Sequence, residues 1–223
     1  VSSFLVELFE LSDPSRSRGN QVTARELLDI GARRVSFGLA DQPETRATLL
    51  STIGTVYQSL GLYSDAVALM EEGLKSQIAI HGPNHSAVAV ALRSLGNALC
   101  ERGDLAQCEG RLTAALNMQH RLFGPTSPEV APTLMSQGAL ALLRGDSAAA
   151  ERLFDQSLQI YRSHGQERTT SATSVMNELA NLYSISGRRD RAATLYRAAL
   201  DIDRQAPGTG QPSSPSAQGT PAG

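Results

Sequence analysis

Five glycines, Gly19, Gly61, Gly103, Gly145 and Gly187, recur at one fixed interval of 42 residues. A chain with a period of this length stacks copies of one supersecondary unit, each burying its apolar face against the next. That layout predicts a binding surface rather than a single catalytic core, and by itself it names no ligand.

Other positions keep the same register. Seven residues before the last four of these glycines stand Gly54, Gly96, Gly138 and Ala180, and four before them stand Tyr57, Leu99, Ala141 and Tyr183. Five residues after them come Ala66, Cys108, Ala150 and Ala192, nine after come Met70, Leu112, Phe154 and Tyr196, and thirteen after come Leu74, Leu116, Leu158 and Leu200. The spacing predicts two helices per unit. Leu50, Ile53, Gly54 and Tyr57 share one face of the first, and Ala66, Leu69, Met70 and Leu74 share one face of the second. Glycine at the turn tolerates a positive φ and closes the first helix. A small residue such as Gly54 or Ala66 lets a second backbone approach, so these positions are expected to be crossing points within a hairpin.

The connectors between hairpins repeat as well. His81-Gly82-Pro83-Asn84-His85 matches Phe123-Gly124-Pro125-Thr126-Ser127, 42 residues on. Glycine and proline stop one helix and the polar residues start the next. A third connector, Ser163-His164-Gly165-Gln166, has its glycine one place early and lacks the proline. This joint is expected to be looser.

At the front, Thr23-Ala24-Arg25-Glu26 has capping-box spacing, and residues 23–39 read as the second helix of an incomplete unit. The apolar run Phe4–Leu11, ending at Asp13-Pro14, reads as a helix capping the stack, because terminal units differ from internal ones. The alternative is the stub of a longer helix from an upstream region. The initial valine fits either a processed terminus or a part of a longer chain. Residues 207–223 carry no charge and no large apolar side chain. With nothing to bury against the entropy of ordering, they are expected to be disordered. The expected organisation is 1–43 capping helix and half-unit, 44–206 four helix pairs, and 207–223 tail.

A net charge of −2 steers the chain toward no nucleic acid. No leader, membrane-spanning run or lipidation motif is visible. The two cysteines give no disulfide framework and read as free thiols, Cys108 in a small-residue slot and Cys100 ending a first helix. No phosphate-binding loop, nucleophile elbow or dinucleotide loop is present, and no catalytic residue or cofactor is expected. His81 and His85 have the four-residue spacing of a helical metal pair, but Gly82-Pro83 between them breaks it. His120 and His164 read as helix C-terminal surface groups, so no metal is expected. Glu71 and Glu72 with Lys75 read as pairs along a solvated helix face. Arg188-Arg189-Asp190-Arg191 reads as a charged, wetted turn.

The repeated set Gly54, Tyr57, Gly61, Ala66 and its successors resembles the tetratricopeptide repeat in the 42-residue form of kinesin light chains. These successors are Gly96, Gly103 and Cys108, then Gly138, Gly145 and Ala150, then Tyr183, Gly187 and Ala192. The resemblance covers residues 44–204 and implies an all-α, right-handed superhelical solenoid of antiparallel helix pairs. Unit three departs from it at Ala141, where tyrosine is common, so that hairpin is expected to pack less tightly. A second resemblance rests on Val1–Pro14, on Thr23–Leu28, on Leu39–Glu44 and on the Gly61-Leu62-Tyr63 turn. These are similar to the region that joins a bacterial serine/threonine protein kinase domain to C-terminal repeats. It implies a covalently linked kinase domain in a longer parent, since this chain holds none of the kinase catalytic motifs.

In this family the first helices line the concave wall and carry peptide recognition. The resemblance places Ser51, Thr55 and Gln58 there in unit one, Arg93, Asn97 and Cys100 in unit two, Met135, Ala139 and Leu142 in unit three, and Asn177, Asn181 and Ser184 in unit four. Of these, Ser51, Gln58, Arg93, Asn97, Met135, Leu142, Asn177 and Asn181 are the candidate ligand contacts, with polar clamps at Asn97 and Asn177. The plainer reading is that the asparagines satisfy neighbouring helices. The expected function is a non-catalytic protein-protein interaction module holding a peptide or protein segment. The alternative is the regulatory segment of the kinase, and a third reading is an architectural spacer. A cytoplasmic location follows from free thiols. A membrane-spanning kinase parent would instead put the array on the extracytoplasmic side of the bacterial inner membrane.

Overall fold

The computed structural model describes residues 23–39 and 41–205. The expected front helix Phe4–Leu11, Gly19 and the tail 207–223 lie outside the described residues. Among the described residues the regular structure is entirely helical: α1 (Ala24–Gly38), α2 (Pro43–Ser59), α3 (Tyr63–His81), α4 (Ser86–Arg102), α5 (Leu105–Phe123), α6 (Ala131–Leu143), α7 (Ser147–Ser163), α8 (Thr170–Ile185) and α9 (Arg189–Gln205). The all-α repeat fold expected from the register is therefore present. The chain forms two compact units, Val1–Leu153 and Phe154–Gly223.

In the first unit α2 pairs with α3 and α4 with α5, while α1 packs on α2, α3 on α4 and α5 on α6. In the second unit α8 pairs with α9. Each first helix ends in the same way. The amide of Leu62 donates to Tyr57 O at 2.9 Å, Asp104 to Leu99 O at 2.9 Å, Asp146 to Ala141 O at 2.9 Å and Arg188 to Tyr183 O at 2.8 Å. In each case the preceding glycine amide reaches back three residues, closing a Schellman turn. Gly103 at φ +94 holds the left-handed residue such a turn requires.

The crossing points lie where the small residues predict them. A Cβ on Gly54 would meet Met70 Cγ at 2.9 Å, and one on Gly96 would meet Leu112 Cδ2 at 2.8 Å. Ala66, Cys108, Ala150 and Ala192 are all buried, the first three completely. Around them Leu95, Leu99 and Leu112 are sealed from solvent, each contributing about 1.5–3 kcal/mol of transfer free energy. The pattern weakens in α9, where Tyr196 and Leu200 are 40% and 48% exposed although their counterparts Phe154 and Leu158 are buried.

At the front, Thr23 and Glu26 form the expected capping box. Glu26 N donates to Thr23 Oγ1 at 3.2 Å, and Thr23 N donates to Glu26 Oε2 at 2.8 Å. The Thr23 backbone bond, with the Thr23 side chain second, holds the Glu26 carboxyl below its ordinary range.

Three expectations need correction. Cys100 and Cys108 are not free: they form a disulfide across the Gly103 turn, with Cα atoms 5.2 Å apart. Glu72 is tied not to Lys75 but to neighbouring helices, accepting from Arg46 on α2 and from Ser36 on α1 at 2.9 Å. The charged turn before α9 does more than meet water, since the Arg188 guanidinium stacks 4.3 Å from the Tyr183 ring centroid. The third connector is hydrogen-bonded at both ends. Gln166 N donates to Tyr161 O at 2.8 Å, and Thr169 caps α8.

Candidate functional site

In the first unit α4 touches both α2 and α6, so three successive first helices lie side by side. The hydrogen bond from Gln58 Nε2 on α2 to Glu101 Oε1 on α4, at 2.8 Å, stitches two of them together. This is the wall on which the candidate contacts were placed.

Those residues divide into engaged and open groups. Ser51 donates to Ala47 O at 3.1 Å and lies against Gly73 of α3, inside its own hairpin. Thr55 donates to Ser51 O at 3.0 Å. Gln58 is committed to Glu101, Arg93 is half-buried and also engaged, and Cys100 has no free thiol. Asn97 is different: half-buried at mid-helix in α4, it has no hydrogen-bond partner among the described residues. Met135 and Leu142 on α6 are half-buried apolar surface on the same wall.

The second unit presents the same kind of face on α8. Asn177 is half-buried and without a partner among the described residues, whereas Asn181 accepts a hydrogen bond from Tyr196 on α9. Asn181 thus follows the plainer reading and Asn177 does not. The candidate contacts of each unit stand together on that unit's first helices.

Two clefts escaped the sequence reading. One, of about 290 Å³, lies between α5, α6 and the start of α7. The other, of about 380 Å³, lies in the second unit among residues that include Asp155, Arg162, Tyr183, Asp190 and Arg191. They line up in the repeat: Thr113, Gln137, Ala141, Ala149 and Leu153 border the first, and Asp155, Leu179, Tyr183, Arg191 and Leu195, each 42 residues on, border the second. Ala141 borders the first and Tyr183, at the same register, borders the second, so a large side chain in that slot does not close the cleft. In unit one that slot holds Tyr57, 3% exposed, whose hydroxyl donates to Asp29 of α1. Burial, with the Asp29 carboxylate second, pushes this phenol's pKa up. The groups at His81 and His85 stack with ring centroids 4.2 Å apart, and no set of three metal-ligating side chains occurs among the described residues. No helix among the described residues is long and apolar enough to cross a membrane.

Sequence models of the tetratricopeptide repeat match residues 45–107, 88–163 and 173–212. The chain belongs to the tetratricopeptide repeat family. Among solved structures it is similar to BtubC (BKLC) from P. vanneervenii, at 20% identity and a TM-score of 0.61, over 98% of this chain and 87% of that one. It is also similar to a putative kinesin light chain with nearly identical TPR-like repeats from Podosopora anserina, at 21% identity and a TM-score of 0.57, over 89% of this chain and 94% of that one. At such identities the likeness carries the fold alone. No curated protein matches the chain. Tetratricopeptide repeats generally serve protein-protein interaction.

Proposed function

We propose that this tetratricopeptide repeat chain binds an extended or helical peptide segment of a protein partner on its first helices, without catalysis. The observation that carries this is Asn97. Its amide can donate and accept at once, which suits a peptide backbone. It stands half-buried on the central helix of the wall with no internal partner among the described residues. Burying a polar group costs free energy unless it is hydrogen-bonded, so a residue placed this way gains when a ligand supplies the bond. Met135 and Leu142 supply apolar contact beside it. Asn177 is the matching clamp on α8.

The test begins with a pull-down using the whole chain and continues with titration of the peptide so identified. Asn97→Ala and Asn177→Ala should each weaken binding about 2- to 12-fold, the worth of one hydrogen bond, with the far-UV circular dichroism unchanged. Undiminished affinity in both variants removes the proposed site, and a pull-down that recovers no ligand favours an architectural spacer.

A second reading, the regulatory segment of a bacterial serine/threonine kinase, rests on the sequence likeness at Val1–Pro14. The Cys100–Cys108 bridge supports the compartment that goes with it, because disulfides persist in oxidising surroundings and are rare in the cytoplasm. A kinase catalytic core in the reading frame immediately upstream would support this reading, and its absence there would end it.

A further inference from the structure

The cleft of the second unit has a counterpart 42 residues earlier, so the hollow itself belongs to the repeat. What sets it apart is charge. In the earlier cleft the charged groups are satisfied: Arg144 bonds Glu109 at 2.8 Å, and Asp146 Oδ1 accepts from Ala149 N at 2.9 Å. The second cleft is bordered by Arg162 in the last turn of α7 and Arg191 in the first turn of α9. Neither has a hydrogen-bond or ion-pair partner among the described residues. The register of Arg191 holds Asp65, Gln107 and Ala149 in earlier units, and that of Arg162 holds Ile78 and His120, so no earlier unit sets two arginines there. The Arg191 guanidinium lies 5.8 Å from the centroid of the buried Tyr183 ring, and that of Arg188 lies 4.3 Å from the same ring. Like charges gathered on one ring repel each other. Two carboxylates also border the cleft, Asp190 and the already engaged Asp155. Three guanidiniums thus meet two carboxylates, a surplus of one positive charge. Leu158, Leu179 and Leu195 supply apolar wall beside them.

From this we infer that the cleft binds a monocarboxylate carried on an apolar body, its carboxylate met by Arg162 and Arg191 and its body by the three leucines. One negative charge balances the surplus. The planar fork of a guanidinium matches a carboxylate with two parallel hydrogen bonds. The size fits a six-carbon body: the cleft is about 380 Å³, and a cavity of roughly 150 Å³ is known to hold benzene. The source is a free organic acid or an acidic side chain of a partner. The site uses neither Asn97 nor Asn177 and does not depend on the peptide-binding reading.

The experiment uses hexanoate as probe and hexanamide as its uncharged match, followed on the full chain by NMR of the Thr194 and Leu195 amides and the Arg162 and Arg191 side chains. Expected are saturable shifts with a Kd on the order of 1 mM, and hexanamide weaker by about 2- to 30-fold, the worth of two exposed charge pairs. Acetate, which keeps the charge and lacks the chain, should bind at least about tenfold more weakly. The double variant Arg162→Gln, Arg191→Gln should bring hexanoate and hexanamide to equal affinity. Arg162→Gln alone, which leaves the Tyr183 contact in place and decides the matter if the double variant fails to fold, should remove part of the difference. Asp190→Asn should act in the opposite direction and strengthen hexanoate binding. A glutamate blocked at both backbone ends separates the sources: tighter binding than hexanoate assigns the site to a partner side chain, and weaker binding assigns it to free organic acids. No saturable hexanoate shift, hexanamide as tight as hexanoate, a charge preference untouched by the arginine variants, or hexyl phosphate tighter than hexanoate would each overturn the inference.

Discussion

Reducing the Cys100–Cys108 bridge should cost this chain a definite amount of stability, and the repeat supplies its own control. The two cysteines are eight residues apart, so the bridge closes a loop of about nine residues. Constraining a loop of that size in the unfolded chain is worth roughly 8.6 cal/mol/K, or about 2.6 kcal/mol at 25 °C, on the loop-entropy estimate. For a chain of this length that is a Tm change of about 5–10 °C. Removing cysteines usually confounds the crosslink with lost packing. Here Cys108 fills a slot that Ala66, Ala150 and Ala192 fill elsewhere, every one of them buried. Cys108→Ala therefore restores the repeat's own residue. Cys100 is half-buried at the register of Gln58 and Ser184, so Cys100→Ser places a small polar group where one already occurs. Urea unfolding of oxidised wild type, reduced wild type and the double variant should give two stabilities, not three, with the reduced and substituted proteins together at the lower one. Repeat arrays lose cooperativity readily, so amide exchange in α4 and α5 should be followed alongside. Iodoacetamide in denaturant without reductant should label no thiol. Two labelled thiols, or a double variant as stable as the oxidised protein, would refute the reasoning.

Two further tests address the register itself and the front helix. Gly96→Ala and Gly110→Ala should have opposite signs: a Cβ at Gly96 collides with the fully buried Leu112, costing about 1–3 kcal/mol against a helix-propensity gain of about 1. At Gly110 a Cβ meets nothing within 4 Å, so the propensity gain stands alone and urea unfolding should show a stabilisation of about 0.5–1 kcal/mol. The Glu26 carboxyl has its pKa depressed below the ordinary 4.5 by the bonds to Thr23. The stability it gives is present above the unfolded-state value and is lost as pH falls through the lower folded-state one. Amide exchange at the start of α1 should therefore speed up below about pH 4.5, and Glu26→Gln, which removes the titrating group, should abolish that pH dependence; an unchanged acid response in Glu26→Gln would refute the capping assignment.

The helices, the turns and the crossing points were legible because they depend on residues within one hairpin, where a period of 42 fixes who meets whom. Contacts between successive units were not. Tyr57 meets Asp29 from 28 positions away, and Glu72 meets both Arg46 and Ser36. Those pairings follow from how hairpins lean on one another, which spacing alone does not give. Glu72 was assigned to Lys75 because only the contacts along its own helix could be read from the sequence. The disulfide lies within a hairpin, but it depends on the geometry of the turn, which brings the two α-carbons to 5.2 Å and which the spacing of single slots does not carry.

The departures that matter come in pairs across a contact. Cys108 in an alanine slot has chemical meaning only with Cys100 opposite it. Leu200 in α9 keeps the register residue yet is exposed, so the register alone does not secure burial. A coupled change such as the disulfide alters how a hairpin is held. In an array whose units are otherwise interchangeable, function is then to be sought where two positions that touch have left the pattern together. Asn97 fits the same logic from the other side, as an amide that no neighbouring position has changed to satisfy.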